Sequence, residues 1–456
     1  MNYDETNDTM WSGSRDLIGS GMPLEKYNFP KDPRQIGGAY SVEENAKLLL
    51  RYFYFERLLL RSLAGWSMGT PEFEVKVEYG RHLYYHSEAA MAFRTRLSEL
   101  RFNPETADHY TNQEIESFFA ELVHAESPAH FLAGVYGVLV PNLINTYQEH
   151  MSSTDQVADA PTVRIFKHIL ADYTEMYLWG KEAIEAYING GYDGANIVFS
   201  QMHIEQMLSS IGGVSGKKER SVTPTNLRSA GKGIFERSFV ATRDPRFTTF
   251  EHTYDYRKAD EGKIEYDSEY EEAQLDLIRS QRDELDAIET FSNVLYEIRD
   301  VPFGFDYDLA RIIYDECRHT ELGYKALIEK GFDPFDLANR LLGIKVRTKL
   351  PPEYSLAEIN LFGEANIVQE VAKQSKAGYK KKDISGMLFD YVNADERTHI
   401  QKGTRWLTYL FKTDSITEIE QKTKEIAIER LLELGIIDHE VALTISHKEL
   451  AKIIGE

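Results

Sequence analysis

Two stretches constrain this chain more than any other feature: Asp315-Glu316-Cys317-Arg318-His319 and its echo, Asp395-Glu396-Arg397-Thr398-His399. Both read Asp-Glu-x-x-His-x-x-x-Gly, ending at Gly323 and Gly403, and the copies lie 80 residues apart (396 − 316). On a helix, residues three apart project from one face, a turn from each other. A carboxylate oxygen and an imidazole nitrogen then reach one metal ion from a single rigid element. Two such helices can hold two metals, provided two further helices each bring a carboxylate.

Counting finds those carboxylates. Glu284 precedes Glu316 by 32 residues, and Glu364 precedes Glu396 by 32. The equal offsets suit antiparallel helical hairpins: 16 residues from carboxylate to turn is about 24 Å of helix, so the two ends meet at one level. Turn signals stand near both midpoints, at Asp300-Val301-Pro302-Phe303-Gly304 and at Lys376-Ala377-Gly378-Tyr379-Lys380. The competing account is a set of amphipathic helices with solvated charged faces. Against it, the residues sharing a face with the two motif glutamates are apolar: Ile312, Ile313 and Leu327 for one, Leu388, Phe389, Val392 and Leu407 for the other.

The series Glu, Glu-x-x-His, Glu, Glu-x-x-His resembles the ferritin-like di-iron carboxylate superfamily, over roughly residues 270–412. The form at 315–319 is similar to that of its oxygen-activating members, the ribonucleotide reductase small subunit and the bacterial multicomponent monooxygenases. The surroundings of Glu284 and Glu364 look more like the small ferritin-like hydroxylases. The resemblance implies that Glu284, Glu316, His319, Glu364, Glu396 and His399 are metal ligands, with Glu316, Glu364 and Glu396 also serving catalysis. It makes Asp315 and Asp395 acceptors that orient a ligand histidine through its other ring nitrogen.

Composition narrows the setting. The chain has 456 residues, room for two or three domains, and 42% apolar with 28% charged residues is ordinary for a globular protein. No apolar run approaches the length of a membrane span, and the start Met1-Asn2-Tyr3-Asp4-Glu5 is unlike a secretory signal. One cysteine, Cys317, excludes an internal disulfide framework and points to a reducing cytoplasm. A net charge of −22 argues against nucleic acid or an anionic membrane as partner. Gly212-Gly213-Val214-Ser215-Gly216-Lys217-Lys218 lacks the glycine spacing and the hydroxyl residue of a phosphate loop. The lysines at 376 and 380–382, and Lys217, Lys218 and Arg220, read as solvated loops.

The pattern along the chain predicts an all-α protein: two ferritin-like helical bundles in tandem, the C-terminal one carrying the metal site. Residues 1–40 read as an irregular arm. Ser41-Val42-Glu43-Glu44 is a capping box opening a helix, and further helices are expected at about 72–100, 112–123, 128–151 and 160–189. Within 41–189 Glu56 and Glu88 repeat the 32-residue offset, but Met91 stands in the histidine position. Farther on, Tyr173 and Met176 replace glutamate and histidine, and Pro141 falls where the partner carboxylate belongs. This bundle is therefore read as a duplicate with a decayed site. His82 and His86, four apart, would suit a metal but are taken as a structural or surface pair. Residues 190–262 read as an irregular connection that covers a site, with a helical piece at 197–208; 263–412 as the di-metal bundle; and 413–456 as a tail of short helices that packs on its parent domain or a partner.

Four carboxylates and two neutral imidazoles balance two divalent cations, and oxygen-rich ligation suits iron, with a manganese–iron pair as the variant. Two ferrous ions can together reduce dioxygen by two electrons. The function expected is a di-iron oxidase or oxygenase acting on an organic small molecule with dioxygen as co-substrate, fed by an external reductant and built as a homodimer. The alternative is a ferroxidase or iron-handling role without organic substrate. Gly323 stands where radical-storing relatives carry tyrosine, with Tyr324 beside it, which disfavours a radical role. Tyr314 and Tyr391 are candidate electron relays, and Gly323 and Gly403 mark either close helix packing or room for a substrate channel.

Overall fold

The computed structural model describes residues 30–34, 36–251, 256, 259, 264 and 266–454. Residues 1–29 of the expected arm lie outside them, and its described remainder has neither helix nor strand. Ser41 starts the first long helix, α1 (Val42–Ser67): its hydroxyl accepts from the Glu44 N–H while the Glu44 carboxylate accepts from the Ser41 N–H, the reciprocal cap that the sequence predicted. The helix α2 (Phe73–Glu99) folds back along α1. Three short helices follow, α3 (Pro104–Asp108), α4 (Gln113–Val123) and α5 (Pro128–Gly134), the last running into a π-helical stretch, Val135–Leu139. Then α6 (Val140–Ser153) pairs with α7 (Ala160–Asn189), and α7 also packs on α2.

The connection is largely irregular around one helical piece, as expected. It contains α8 (Gly194–Ser210), which packs on α5, and a two-residue strand β1 (Thr249–Phe250) that pairs in parallel with β2 (Asn339–Arg340). The Asp244-Pro245-Arg246 turn is tied down by Asp244, which accepts from the Phe73 N–H at the start of α2. Residues 252–255, 257, 258 and 260–263 lie outside the described set, as does any cover they give a site.

In the second half α9 (Glu269–Arg282), α10 (Leu285–Glu297) and α11 (Phe303–Glu329) form one packed group. The chain then passes β2, α12 (Leu342–Arg347) and α13 (Pro352–Glu358) into a second π-helical stretch, Ile359–Glu364. That stretch leads into α14 (Ala365–Lys381), which pairs with α15 (Ser385–Phe411). The turn between these two falls later than the sequence signal: Lys376 to Lys380 are helical, and Lys382 ends the helix in the left-handed region at φ 59°. Close passage of Gly378 against Gly386, where a Cβ would collide with backbone, shapes the hairpin.

The tail forms α16 (Ile416–Glu433), α17 (His439–Thr444) and α18 (His447–Ile454), and it packs on other segments of the second half. Leu431, Leu450 and Ile454 share a buried cluster with Leu342, Val346 and Phe362, behind the second π stretch. The two halves meet where α1 contacts α10 and α2 contacts α11. Gly80 on α2 admits the Cys317 sulfur where a Cβ would not fit. Buried charges cross the same seam: Asp306 takes Arg57 at 2.6 Å and Arg61 at 2.5 Å, and Glu289 takes Lys76 and Arg243. Among the described residues no helix is long and apolar enough to cross a membrane.

Candidate metal centre

Both motif helices turn their charged residues inward. Glu316 and Glu396 are 2% exposed, and His319 and His399 are fully buried. Apolar neighbours drive this orientation: Ile312, Ile313, Leu327, Leu388, Phe389, Val392 and Leu407 are all buried, so each helix buries the whole face that carries its motif. Glu284 and Glu364 complete the set, but not from regular helix. Glu284 sits in the break between α9 and α10, where ψ swings to 7°, and Glu364 closes the π-helical stretch. A π turn carries one residue more than an α turn, so it shifts the side chains that follow it by roughly 100° around the axis. The uninterrupted hairpins predicted from the equal offsets are thus locally distorted at both upstream glutamates.

The two motif glycines serve these distortions. A Cβ on Gly323 would collide with the backbone of Gln281 and Arg282, beside the break, and one on Gly403 with the Asn360 side chain in the π stretch. Close packing, not a channel, is therefore what both glycines provide. Asn360 in turn donates its amide to the His399 carbonyl at 3.3 Å and to Glu364 at 3.4 Å.

All six predicted ligands converge. Glu284, Glu316, His319 and Glu396 offer one donor atom each within 4.8 Å of one another, and so do Glu316, Glu364, Glu396 and His399. Glu316 and Glu396 belong to both groups and stand between them. The imidazoles face the carboxylates through Nδ1: His319 lies 2.9 Å from Glu284 and 3.3 Å from Glu316, and His399 lies 3.1 Å from Glu316 and 3.5 Å from Glu364. Each Nε2 points the other way, and the aspartates serve crosswise. Asp395 of the second motif faces His319 at 3.3 Å, and Asp315 of the first faces His399 at 3.3 Å. Arg318 reaches both aspartates, at 2.5 and 3.1 Å, and Arg311 adds a pair to Asp315 at 2.8 Å. Each ring's Nε2 therefore faces an aspartate of the other motif.

Electrostatics show how poorly this cluster is compensated by protein alone. Burial pushes Glu364 up to about 7, and burial likewise raises Glu284 well above the usual carboxylate range. Burial also opposes the charge on Glu316, but the rings of His319 and His399 outweigh it and hold that carboxyl well below the usual range. The rings themselves resist burial and are raised well above ordinary histidine, His319 chiefly by Glu284 and Asp395, His399 chiefly by Asp315 and Glu316. Even so Glu364 Oε1, Glu396 Oε2 and His399 Nδ1 are buried without hydrogen-bond partners. These three atoms face one another, His399 Nδ1 lying 3.5 Å from each oxygen, and a cation among them would satisfy all three. The residues fit a metal pair.

The N-terminal half contains no such group: among the described residues, those two clusters are the only sets of three or more His, Cys, Asp or Glu so disposed. Its interior holds a polar group in which His86, Tyr147 and Tyr173 surround Glu56, all fully buried. Glu56 accepts from Tyr147 and, at 2.6 Å, from Tyr173, and it lies 2.6 Å from His86 Nδ1. Tyrosine hydroxyls thus satisfy the Glu56 carboxylate. Here the residue count misplaced one position. Glu88 is exposed and accepts from Tyr307, while His86, two residues earlier and about 200° around the helix, faces Glu56. His82 is buried too, against the Tyr136 hydroxyl at 2.8 Å, so the pair is structural and not on the surface. Tyr147 was missed, because a lone tyrosine in a helix carries no spacing signal. Of the proposed relays, Tyr391 is 60% exposed, and Tyr314 stacks on Tyr84 across the seam between the halves.

No family model, no curated protein and no solved structure matches this chain.

Proposed function

We propose that this protein is a non-haem di-iron oxidase or oxygenase that oxidises an organic small molecule, and that each half is a ferritin-like bundle with the working site in the second. The observation that carries the reading is the pair of overlapping buried donor groups sharing Glu316 and Glu396. Their chemistry, four carboxylates with two imidazoles, favours iron or manganese over copper or structural zinc. The duplicated architecture is supported by the matching pairs of long helices and by a π-helical stretch in the third long segment of each half, Val135–Leu139 and Ile359–Glu364.

Glu284 and His319 would hold one ion, Glu364 and His399 the other, with Glu316 and Glu396 between them. Two ferrous ions bound there would supply the electrons for two-electron reduction of dioxygen. The chain's own part is positional. Asp395 and Asp315 hold each imidazole by Nε2–H, which leaves Nδ1 free to ligate. Arg318 and Arg311 neutralise those aspartates, so the ligand glutamates keep their charge for the ions. The packed helices keep both imidazoles fully buried, away from bulk water.

Metal content per chain after anaerobic ferrous loading tests the reading, on the wild type and on Glu316→Ala/His399→Ala. About two irons per chain in the wild type, few in the variant, and oxygen uptake coupled to loss of an organic substrate support an oxygenase. Oxygen uptake that only tracks added ferrous iron points instead to a ferroxidase. Equal, low metal in both proteins refutes the centre.

A further inference from the structure

Beside the cluster lies a cavity of about 50 Å³ whose lining includes Glu284, Glu316, Glu364, Glu396, Asp286 and Arg340 but neither imidazole. Arg347 also borders it but is engaged, with Nε on Glu358 at 2.5 Å and NH1 3.7 Å from Asp286. Arg340 is different. Its side chain is buried in a residue only 5% exposed, its Nε has no hydrogen-bond partner, and among the described residues no carboxylate forms an ion pair with it. An unpaired buried guanidinium is costly to keep, since burial of a charge is normally offset by a partner.

The fold fixes this arginine with care for its position. Its backbone N–H donates to Asp283 at 3.0 Å, and the adjacent Asn339 amide donates to the same carboxylate at 2.7 Å. Asp283 immediately precedes Glu284 in the helix break, and the β1–β2 pairing holds the segment from its other side. Arg340 is therefore bolted to the element that supplies a ligand. The opposite flank of the cluster is filled by Asp315, Asp395 and Arg318.

Resting on the di-metal reading, we propose that this cavity receives the carboxylate end of the substrate, paired with the Arg340 guanidinium, so that the substrate is a small carboxylic acid. The planar fork of a guanidinium matches a carboxylate through two parallel hydrogen bonds. The cavity, at about 50 Å³, has room for that group. Arg340 is then a substrate-binding residue that sets which molecules are presented to the centre.

Calorimetric titration of the Mn²⁺-loaded protein tests this without turnover, using propionate, propionamide and methyl phosphate as probes and measuring metal content on the same samples. Propionate is expected to bind once per chain, with propionamide and methyl phosphate weaker by roughly tenfold or more, the value of one charge-assisted hydrogen-bonded pair. Arg340→Gln loses propionate affinity by the same factor while keeping wild-type metal content, and Arg340→Lys retains part of it. Equal propionate binding in wild type and Arg340→Gln, preference for methyl phosphate, or no binding to the fully metal-loaded wild type overturns the inference and leaves the metal centre standing. Absence of metal from the wild type defeats the centre and this inference with it.

Discussion

Glu364 is the residue at which binding and stability are set most directly against each other. Its carboxyl is 6% exposed, and one oxygen has no hydrogen-bond partner. Burial raises it from 4.5 to about 7. A group whose folded value lies above its unfolded value contributes fully below pH 4.5, and that contribution is lost as pH rises through about 7. The rise of 2.5 (7 − 4.5), at about 1.4 kcal/mol per pH unit, makes the ionised carboxylate cost about 3 kcal/mol at pH 8. Glu364→Gln removes that charge at nearly constant shape. In chelator-treated protein the variant should match wild type near pH 4.5 and exceed it at pH 8 by up to about 3 kcal/mol, roughly 6–12 °C in Tm for a cooperative unit the size of the second half. With ferrous iron or Mn²⁺ added anaerobically the order should reverse, because the variant loses a ligand and with it the stabilisation by bound metal. Differential scanning fluorimetry across pH 4.5–8, with and without metal, reads both effects. A metal-free variant no more stable than wild type at pH 8 would refute the argument, since it would mean Glu364 is a satisfied structural carboxylate.

Three further outcomes are expected. Asp315→Asn and Asp395→Asn should each lower metal affinity by about 10–100-fold, and because the contacts cross, Asp395→Asn should affect the ion held by His319; metal titration followed by the histidine NMR signals checks this. Gly323→Ala should destabilise the protein by about 1–3 kcal/mol, because the new methyl meets the backbone of Gln281 and Arg282 and must push the Glu284 segment away; unfolding and metal content should fall together. Asp306→Ala should cost about 3–5 kcal/mol in denaturant unfolding by leaving Arg57 and Arg61 buried without their shared partner, while the donor set itself is untouched.

The helical class, the inward face of each motif helix and the six residues that converge were all legible in the order of residues alone. Period and spacing are local properties: Glu316 and His319 share a face because three residues make most of a turn, and the equal offsets of Glu284 and Glu364 place them at one level in any antiparallel hairpin. The departures from regular helix and the contacts between distant segments, by contrast, arise only from packing. The break at Glu284 and the π stretch ending at Glu364 cannot be seen in an apolar periodicity, since each packs against a glycine of another helix: Gly323 admits the backbone of the break, and Gly403 admits the Asn360 side chain of the π stretch. The crossing of Asp315 to His399 and of Asp395 to His319 follows from how two helices face one another. Arg340 carries no motif and acquires meaning only because a two-residue strand pairing and Asp283 hold it over the cluster. In the first half, a two-residue difference in helix rotation put His86, not Glu88, beside Glu56. Spacing fixes which residues can meet, but the rotation and approach of packed helices decide which of them do.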